Sequence, residues 1–93
     1  MPGNKLYTIE YLFSVIEEDI ANLPLTMKVM IKKAIEDRLM VDPISFGKPL
    51  QYSLKGHRRL RVGDYRVVYR IIAKTNSVLI IAIKHRKNIY EDL

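Results

Sequence analysis

The sequence predicts an α+β fold in which a helical hairpin packs on one face of a mainly antiparallel sheet, in the order β-α-α-β-β-β(-β). Three patterns indicate this fold. Residues 57–72 alternate in polarity around a tight turn, residues 27–39 repeat apolar side chains at helical spacing, and residues 78–83 form a continuous apolar run. Because 93 residues suit one small core, we expect a single domain over 1–93 with a short C-terminal tail or helix.

The first two elements are a strand and a short helix. Lys5 to Tyr11 alternates apolar and polar side chains, which predicts a strand. Ser14 and Glu17 have the spacing of a capping box, and apolar residues recur behind them at Ile16, Ile20 and Leu23. We interpret the acids at 17–19 as solvated side chains that suit the positive end of the helix dipole.

A second, amphipathic helix is predicted from Pro24 to about Val41, because its apolar residues share one stripe and its charged residues the other side. Asp42-Pro43 should end this helix, since a residue before proline disfavours helical dihedrals. Residues 42–49 then read as a loop, and Leu50 to Leu54 as a short strand or an extended lead-in.

We predict that the central hairpin turns through two residues, Gly63-Asp64, and this turn length places Val62 opposite Tyr65 and Arg61 opposite Arg66. Its two faces then differ. One is apolar with Arg58 as its exception, and the other gathers cations around Val68, namely His57, Arg59, Arg61, Arg66 and Arg70. Like charges opposite each other destabilise a ladder, so this face is predicted to meet an anion.

The last predicted strand, Val78 to Ile83, has the composition of a central strand that is buried on both sides. The segment Lys84-His85-Arg86-Lys87 follows it, and Tyr90 lies near the chain end. If this strand neighbours residues 65–72, its basic end should lie beside the polar face of the hairpin.

Charge is divided unevenly along the chain. Residues 1–47 have a net charge of −2 and residues 48–93 a net charge of +8. A basic half of this kind favours a polyanion such as RNA, DNA or an acidic protein segment, although a solvated basic surface is the plainer alternative. We expect no membrane span, no disulfide and no thiolate metal site, because the longest apolar run has six residues and cysteine is absent.

The candidate chemistry is transesterification of an RNA phosphodiester. Arginine and lysine can stabilise the charge of the phosphorane, histidine can exchange protons, and tyrosine can stack on a base. No phosphate loop, HExxH pattern or cysteine nucleophile competes with this interpretation, and no cofactor or metal is expected.

The strings Gly47-Lys48-Pro49-Leu50, Ser53-Leu54-Lys55-Gly56 and Arg58 through Arg70, with His85-Arg86 and Tyr90, resemble the RelE/ParE toxin superfamily over nearly the whole chain. The RelE branch contains messenger-RNA endonucleases that act in the ribosomal A site, and the ParE branch poisons DNA gyrase. The resemblance implies a cytoplasmic prokaryotic toxin, paired with a RelB-like antitoxin and without a bound metal.

The resemblance also implies site residues. Arg66 falls on a phosphate-binding arginine, His57 and Arg59 fall on two lysines of the RelE-type site, and Arg61 lies beside them. A C-terminal arginine of that site falls within residues 84–86, so the catalytic set is His57, Arg59, Arg61, Arg66, His85, Arg86 and Tyr90. Further RNA contacts are expected from Lys55, Arg58, Arg70, Lys84 and Lys87.

Two departures from the RelE pattern matter, because arginine and histidine replace the two lysines. Arginine stays protonated and would be a poor base. His57 or His85 is therefore the candidate for proton transfer, with catalysis by positioning alone as the alternative. A second class of function also stays open: a gyrase inhibitor of the ParE type, or an inactive toxin that only binds its antitoxin.

Overall fold

The computed structural model describes residues 6–89, which form a five-stranded sheet in the order β1-β5-β4-β3-β2. The strands are β1 (Thr8–Tyr11), β2 (Lys48–Pro49), β3 (Arg58–Val62), β4 (Tyr65–Ile72) and β5 (Ser77–His85). β1 runs parallel to β5, and every other neighbouring pair is antiparallel. The predicted α+β class, with its mainly antiparallel sheet, is therefore confirmed.

The hairpin of β3 and β4 has the register expected from its alternating pattern. Val62 pairs with Tyr65, Arg61 with Arg66, and Arg59 with Val68. Gly63 has a φ of +59°, a left-handed conformation that suits a tight hairpin turn and that glycine adopts without steric cost.

β5 contains an irregularity that changes which of its side chains share a face. Val68 pairs with Ala82 but Tyr69 pairs with Ile80, so Ile81 is an extra residue in β5. An extra residue reverses the alternation of the strand beyond it. Val78 and Ile80 therefore share the helix-covered face with Ile83 rather than with Ala82.

Two helices form the predicted hairpin. α1 (Val15–Ile20) has π-type hydrogen bonding, and α2 (Leu25–Ala34) begins after Pro24 and continues as a π-type segment to Leu39. The capping-box prediction was wrong, since Ser14 has helical dihedrals and makes no side-chain cap hydrogen bond. A capping side chain needs a non-helical backbone to reach back over the first turn.

The segment after α2 is more structured than the sequence indicated. A short helix, α3 (Pro43–Phe46), replaces part of the predicted loop, and Asp42 caps it by accepting a hydrogen bond from the Ser45 backbone N–H at 3.2 Å. That hydrogen bond lowers the pKa of the Asp42 carboxyl. Residues 50–54, predicted as a short strand or an extended lead-in, do not form a strand. Gln51 is extended, Tyr52–Leu54 form a 3₁₀ turn, and the strand of this region is β2.

The main core lies between the helices and one face of the sheet. Helical side chains such as Ile31, Ile35 and Leu39 pack there against Leu60, Val67 and other strand residues. A smaller cluster of Val68, Ala82 and Ile89 lies on the opposite face, so β5 is buried on both sides as predicted. Within residues 6–89, no helix is long and apolar enough to cross a membrane.

Candidate nucleic-acid interface

Cations gather on the sheet face that the helices leave uncovered. Strand pairing sets Arg59 beside Val68, and sets Arg66 between Arg61 on one side and Lys84 on the other. Paired residues of adjacent strands project to the same face. We call this surface the basic face and define it by His57, Arg59, Arg61, Arg66, Arg70 and Lys84.

Arg66 is the most enclosed cation of the basic face, with 8% of its surface exposed. Its Nη1 donates to the Gly63 carbonyl and to the Tyr65 carbonyl, each at 2.9 Å. These bonds fix the guanidinium below the hairpin turn. A cation held in a set position can stabilise developing negative charge without having to reorganise.

The chain beyond β5 folds back onto the basic face. The Arg86 backbone N–H donates to the Asp64 carbonyl at 2.8 Å, which ties this turn to the hairpin turn. Ile89 is 1% exposed and packs in the cluster with Val68 and Ala82. The sequence therefore brings its C-terminal basic segment to the hairpin, although the predicted site residue Tyr90 lies outside the described residues.

His57 lies two residues before Arg59 in extended chain, so the two side chains share a side. The His57 carbonyl accepts a hydrogen bond from the Leu50 N–H at 2.9 Å, which closes the loop between β2 and β3. His57 Nδ1 and Arg59 Nε are buried atoms without a hydrogen-bond partner among residues 6–89. Buried polar groups are normally paired, so these two atoms, like Arg58 Nε, are exceptions among residues 6–89.

His85, the other predicted proton-transfer candidate, lies on the opposite face. It pairs with Tyr65 across the β4–β5 ladder, and the two rings meet edge to face with centroids 5.5 Å apart. The extra residue at Ile81 is the cause, since it turns His85 toward the helices and Lys84 toward the basic face. The structure therefore does not bring His85 together with Arg59 and Arg66.

Asp19 is a residue whose role the sequence analysis missed. Its carboxylate accepts from the Ile83 N–H at 2.8 Å and from Lys84 Nζ at 2.9 Å, and its side chain is 7% exposed. The prediction of a solvated acid was thus wrong for Asp19. Because its partners lie more than 60 residues away in the chain, no local pattern could have indicated this contact.

Arg58, a predicted RNA contact, holds the loop around α3. Its Nη2 donates to the carbonyls of Ile44 at 2.6 Å and Gly47 at 2.9 Å. Nearby, the Tyr69 hydroxyl donates to the Pro43 carbonyl at 2.6 Å. Burial raises the pKa of the Tyr69 phenol, and the Arg58 guanidinium opposes this rise.

The other predicted RNA contacts are spread over the surface. Lys55 is exposed in the loop before β3, Arg70 is exposed on β4, and Lys87 is exposed in the C-terminal turn. Arg86 lies 3.7 Å from the Asp64 carboxylate, and both side chains are more than half exposed. A surface pair of this kind contributes little to stability, so Arg86 can exchange it for another anion.

Residues 15–90 match the family model of the ParE toxin of the type II toxin–antitoxin system parDE. The chain belongs to this toxin family. Two curated relatives come from Mycobacterium tuberculosis. Toxin RelG is 31% identical over 84 residues, covering 90% of this chain and 95% of RelG. Toxin RelE is 36% identical over 72 residues, covering 77% of this chain and 74% of RelE.

Solved structures agree with this membership. The RelBE2 toxin–antitoxin complex of M. tuberculosis contains a chain that superposes with a TM-score of 0.81 at 30% identity, covering 87% of this chain and 92% of that one. The isolated Escherichia coli RelE toxin superposes with a TM-score of 0.70 at 17% identity, covering 94% and 99%, and supports the fold alone. The protein is therefore a type II toxin of RelE-like fold.

Proposed function

We propose that this toxin is an endoribonuclease that cleaves messenger RNA in the ribosomal A site, and that it acts in the cytoplasm. The observation that carries the proposal is the row of Arg61, Arg66 and Lys84, three cations side by side on adjacent strands. Asp19 offsets part of the charge of Lys84, and the positive charge of the row favours a phosphodiester on this face.

In the proposed reaction the ribose 2′-oxygen attacks the adjacent phosphorus, and the bond to the 5′-oxygen breaks. The products are a 2′,3′-cyclic phosphate and a 5′-hydroxyl. His57 accepts the proton of the 2′-hydroxyl, and the leaving 5′-oxygen takes up a proton from solvent or from a protonated side chain. Histidine suits this role because it exchanges protons near neutral pH.

The arginines of the basic face stabilise the pentavalent transition state. Arg66 is held below the hairpin turn by two carbonyls, and Arg59 lies on the same face with a buried Nε that has no partner within residues 6–89. Their guanidinium groups match the geometry of phosphate oxygens. Tyr90 is the proposed residue that stacks on a base or orients the phosphate.

An antitoxin is the proposed protein partner. The related M. tuberculosis and E. coli toxins were crystallised as RelBE toxin–antitoxin complexes. A chain with a net charge of +6 and an uncovered basic face suits an acidic or amphipathic antitoxin segment. Binding there would neutralise the toxin by covering its site.

A second candidate function follows from the family model, which describes a ParE toxin. A non-enzymatic toxin of that type would bind a protein such as gyrase, and an inactive copy would bind only its antitoxin. Neither function needs a cation fixed in place or a partially buried histidine with a free ring nitrogen. The two classes are separated by whether RNA is cut.

The test is induction of the toxin in cells, with messenger-RNA 5′ ends mapped by primer extension. We compare the wild type with Arg59→Ala/Arg66→Ala, and with Lys74→Ala as a control that removes an exposed charge from the β4–β5 turn. New in-frame cuts with the wild type and the control, absent from the double variant, support the proposal. Growth arrest without cuts favours a protein target. If folded protein causes no growth arrest and no cuts, the result favours an inactive copy.

A further inference from the structure

A small cationic cavity opens at the edge of the sheet beside the basic face. Its volume is about 120 Å³, and we call it the edge cavity. Its lining comes from the end of α2, from α3 and from two strands, and consists of Arg38, Phe46, Lys48, Arg59, Leu60 and Arg61. Four of these six side chains are basic.

The cavity exists because β2 is short. β2 pairs only with Arg58 and Arg59, so β3 has no strand neighbour on that side from Leu60 onward. Arg38 and Phe46 reach this edge from the helix layer, while Arg59 and Arg61 reach it from the basic face. The cavity therefore lies at the edge of β3 that β2 leaves uncovered.

Among residues 6–89, the cations of the edge cavity have no acidic partner. Neither Arg38, Lys48 nor Arg61 makes an ion pair or a side-chain hydrogen bond in the part of the chain that the structure describes. The nearby acids are engaged elsewhere. Asp37 pairs with Lys33 at 3.1 Å, and the Asp42 carboxylate accepts from the Ser45 N–H.

Unpaired cations that converge on one cavity repel each other, and a bound anion relieves that repulsion. Phe46 adds an aromatic wall and is 51% exposed, which suits stacking on a nucleobase. An acidic protein segment would satisfy the charges but would not need the aromatic side chain.

We propose that the edge cavity binds an RNA phosphate next to the one held on the basic face, with Phe46 against the attached base. The proposal rests on the proposed function and extends its RNA path over the edge of β3. Arg38, Lys48 and Phe46 are then RNA-binding residues that take no part in bond cleavage.

The test compares Arg38→Ala/Lys48→Ala with Lys32→Ala/Lys74→Ala, a control that removes the same charge from exposed positions elsewhere. The first probe is a single-stranded 2′-O-methyl RNA oligonucleotide, which binds but cannot be cleaved. The second probe is vacant ribosomes. Affinity for each is measured over a series of salt concentrations, and circular dichroism verifies folding.

Loss of one phosphate contact should reduce the salt slope of log K by about 0.7 and weaken binding about fivefold at 0.1 M salt, relative to the control. This change with the oligonucleotide supports a site for the substrate strand. A change with ribosomes alone supports a site for a ribosomal RNA phosphate. Phe46→Leu should weaken oligonucleotide binding without altering the salt slope.

Equal slopes and affinities for the two double variants, with wild-type binding intact, overturn the edge cavity as an RNA site and leave the proposed cleavage standing. Absence of RNA binding and of cleavage in the wild type overturns both proposals. Poly-L-glutamate is the competing probe. If only its binding is weakened in Arg38→Ala/Lys48→Ala, the cavity is a site for an acidic protein segment and the RNA proposal is wrong.

Discussion

His85 meets the ring of Tyr65 edge to face, at 5.5 Å between centroids and 77° between planes, on the sheet face that the helices cover. The two histidines of the chain therefore lie on opposite faces of the sheet, because His57 precedes Arg59 on the basic face. The two histidines should therefore differ in function although both were candidates from the sequence.

We predict that His57→Gln lowers kcat for RNA cleavage by about 10²- to 10⁴-fold, the range typical of a lost acid–base group. His85→Gln should leave kcat within a few fold. Single-turnover cleavage on programmed ribosomes measures both. If His85→Gln lowers kcat more than His57→Gln while the fold stays intact, His85 and not His57 transfers the proton, and the prediction is wrong.

Asp19 should stabilise the end of β5. Asp19→Ala leaves the Ile83 N–H and Lys84 without their shared acceptor, and we expect a loss of about 1–3 kcal/mol in the free energy of unfolding. Asp19→Asn keeps an oxygen for the Ile83 N–H and should lose less. Urea unfolding measures both, and equal effects of the two variants would show that this hydrogen bond contributes nothing.

Tyr69 links stability to pH at the alkaline end. Burial raises its pKa in the folded protein, so the unfolded chain loses its phenolic proton first. The stabilisation is present below the unfolded pKa of about 10 and is lost as pH rises through the folded pKa. Tyr69→Phe should cost about 1 kcal/mol at pH 7, by loss of the hydrogen bond to Pro43, and should flatten the decline above pH 10.

The matched control for Tyr69 is Tyr52→Phe, which removes a hydroxyl from a side chain that is 91% exposed. This variant should change neither the stability at pH 7 nor its alkaline decline. Thermal unfolding between pH 7 and pH 11 measures the comparison. An unchanged alkaline decline in Tyr69→Phe would contradict the prediction.

Tyr52 has a φ of +57°, a left-handed conformation that costs a residue with a Cβ. Its exposed ring gains little from packing, so Tyr52→Gly should raise the free energy of unfolding by up to about 1 kcal/mol. Tyr52→Ala keeps the Cβ and should give no such gain. Urea midpoints compare the two, and equal midpoints would mean that the backbone at this position carries no strain.

The hairpin and the basic face could be predicted because their signals are local. Alternation between Arg58 and Ile72, with a glycine at the turn, determines the register and the face of every cation on β3 and β4. The helical hairpin could also be predicted, because the spacing of apolar residues in α2 is a local signal.

The rest depended on contacts that no local pattern encodes. Simple alternation along β5 from Val78 would turn Lys84 toward the helices, and the extra residue at Ile81 reverses this. α3 is too short to show a helical period, and it is held in place by distant side chains, Arg58 and Tyr69. The irregularity in β5 decides which of the C-terminal residues reach the basic face.

The most direct test of the central claim is cleavage of messenger RNA on purified ribosomes programmed with a defined A-site codon, with the chemistry of the new ends determined. We predict a cut in that codon that leaves a 2′,3′-cyclic phosphate and a 5′-hydroxyl. The cleavage rate should fall at least about 10²-fold in Arg59→Ala/Arg66→Ala and stay unchanged in Lys74→Ala. Intact messenger RNA after incubation with folded wild-type protein would contradict it.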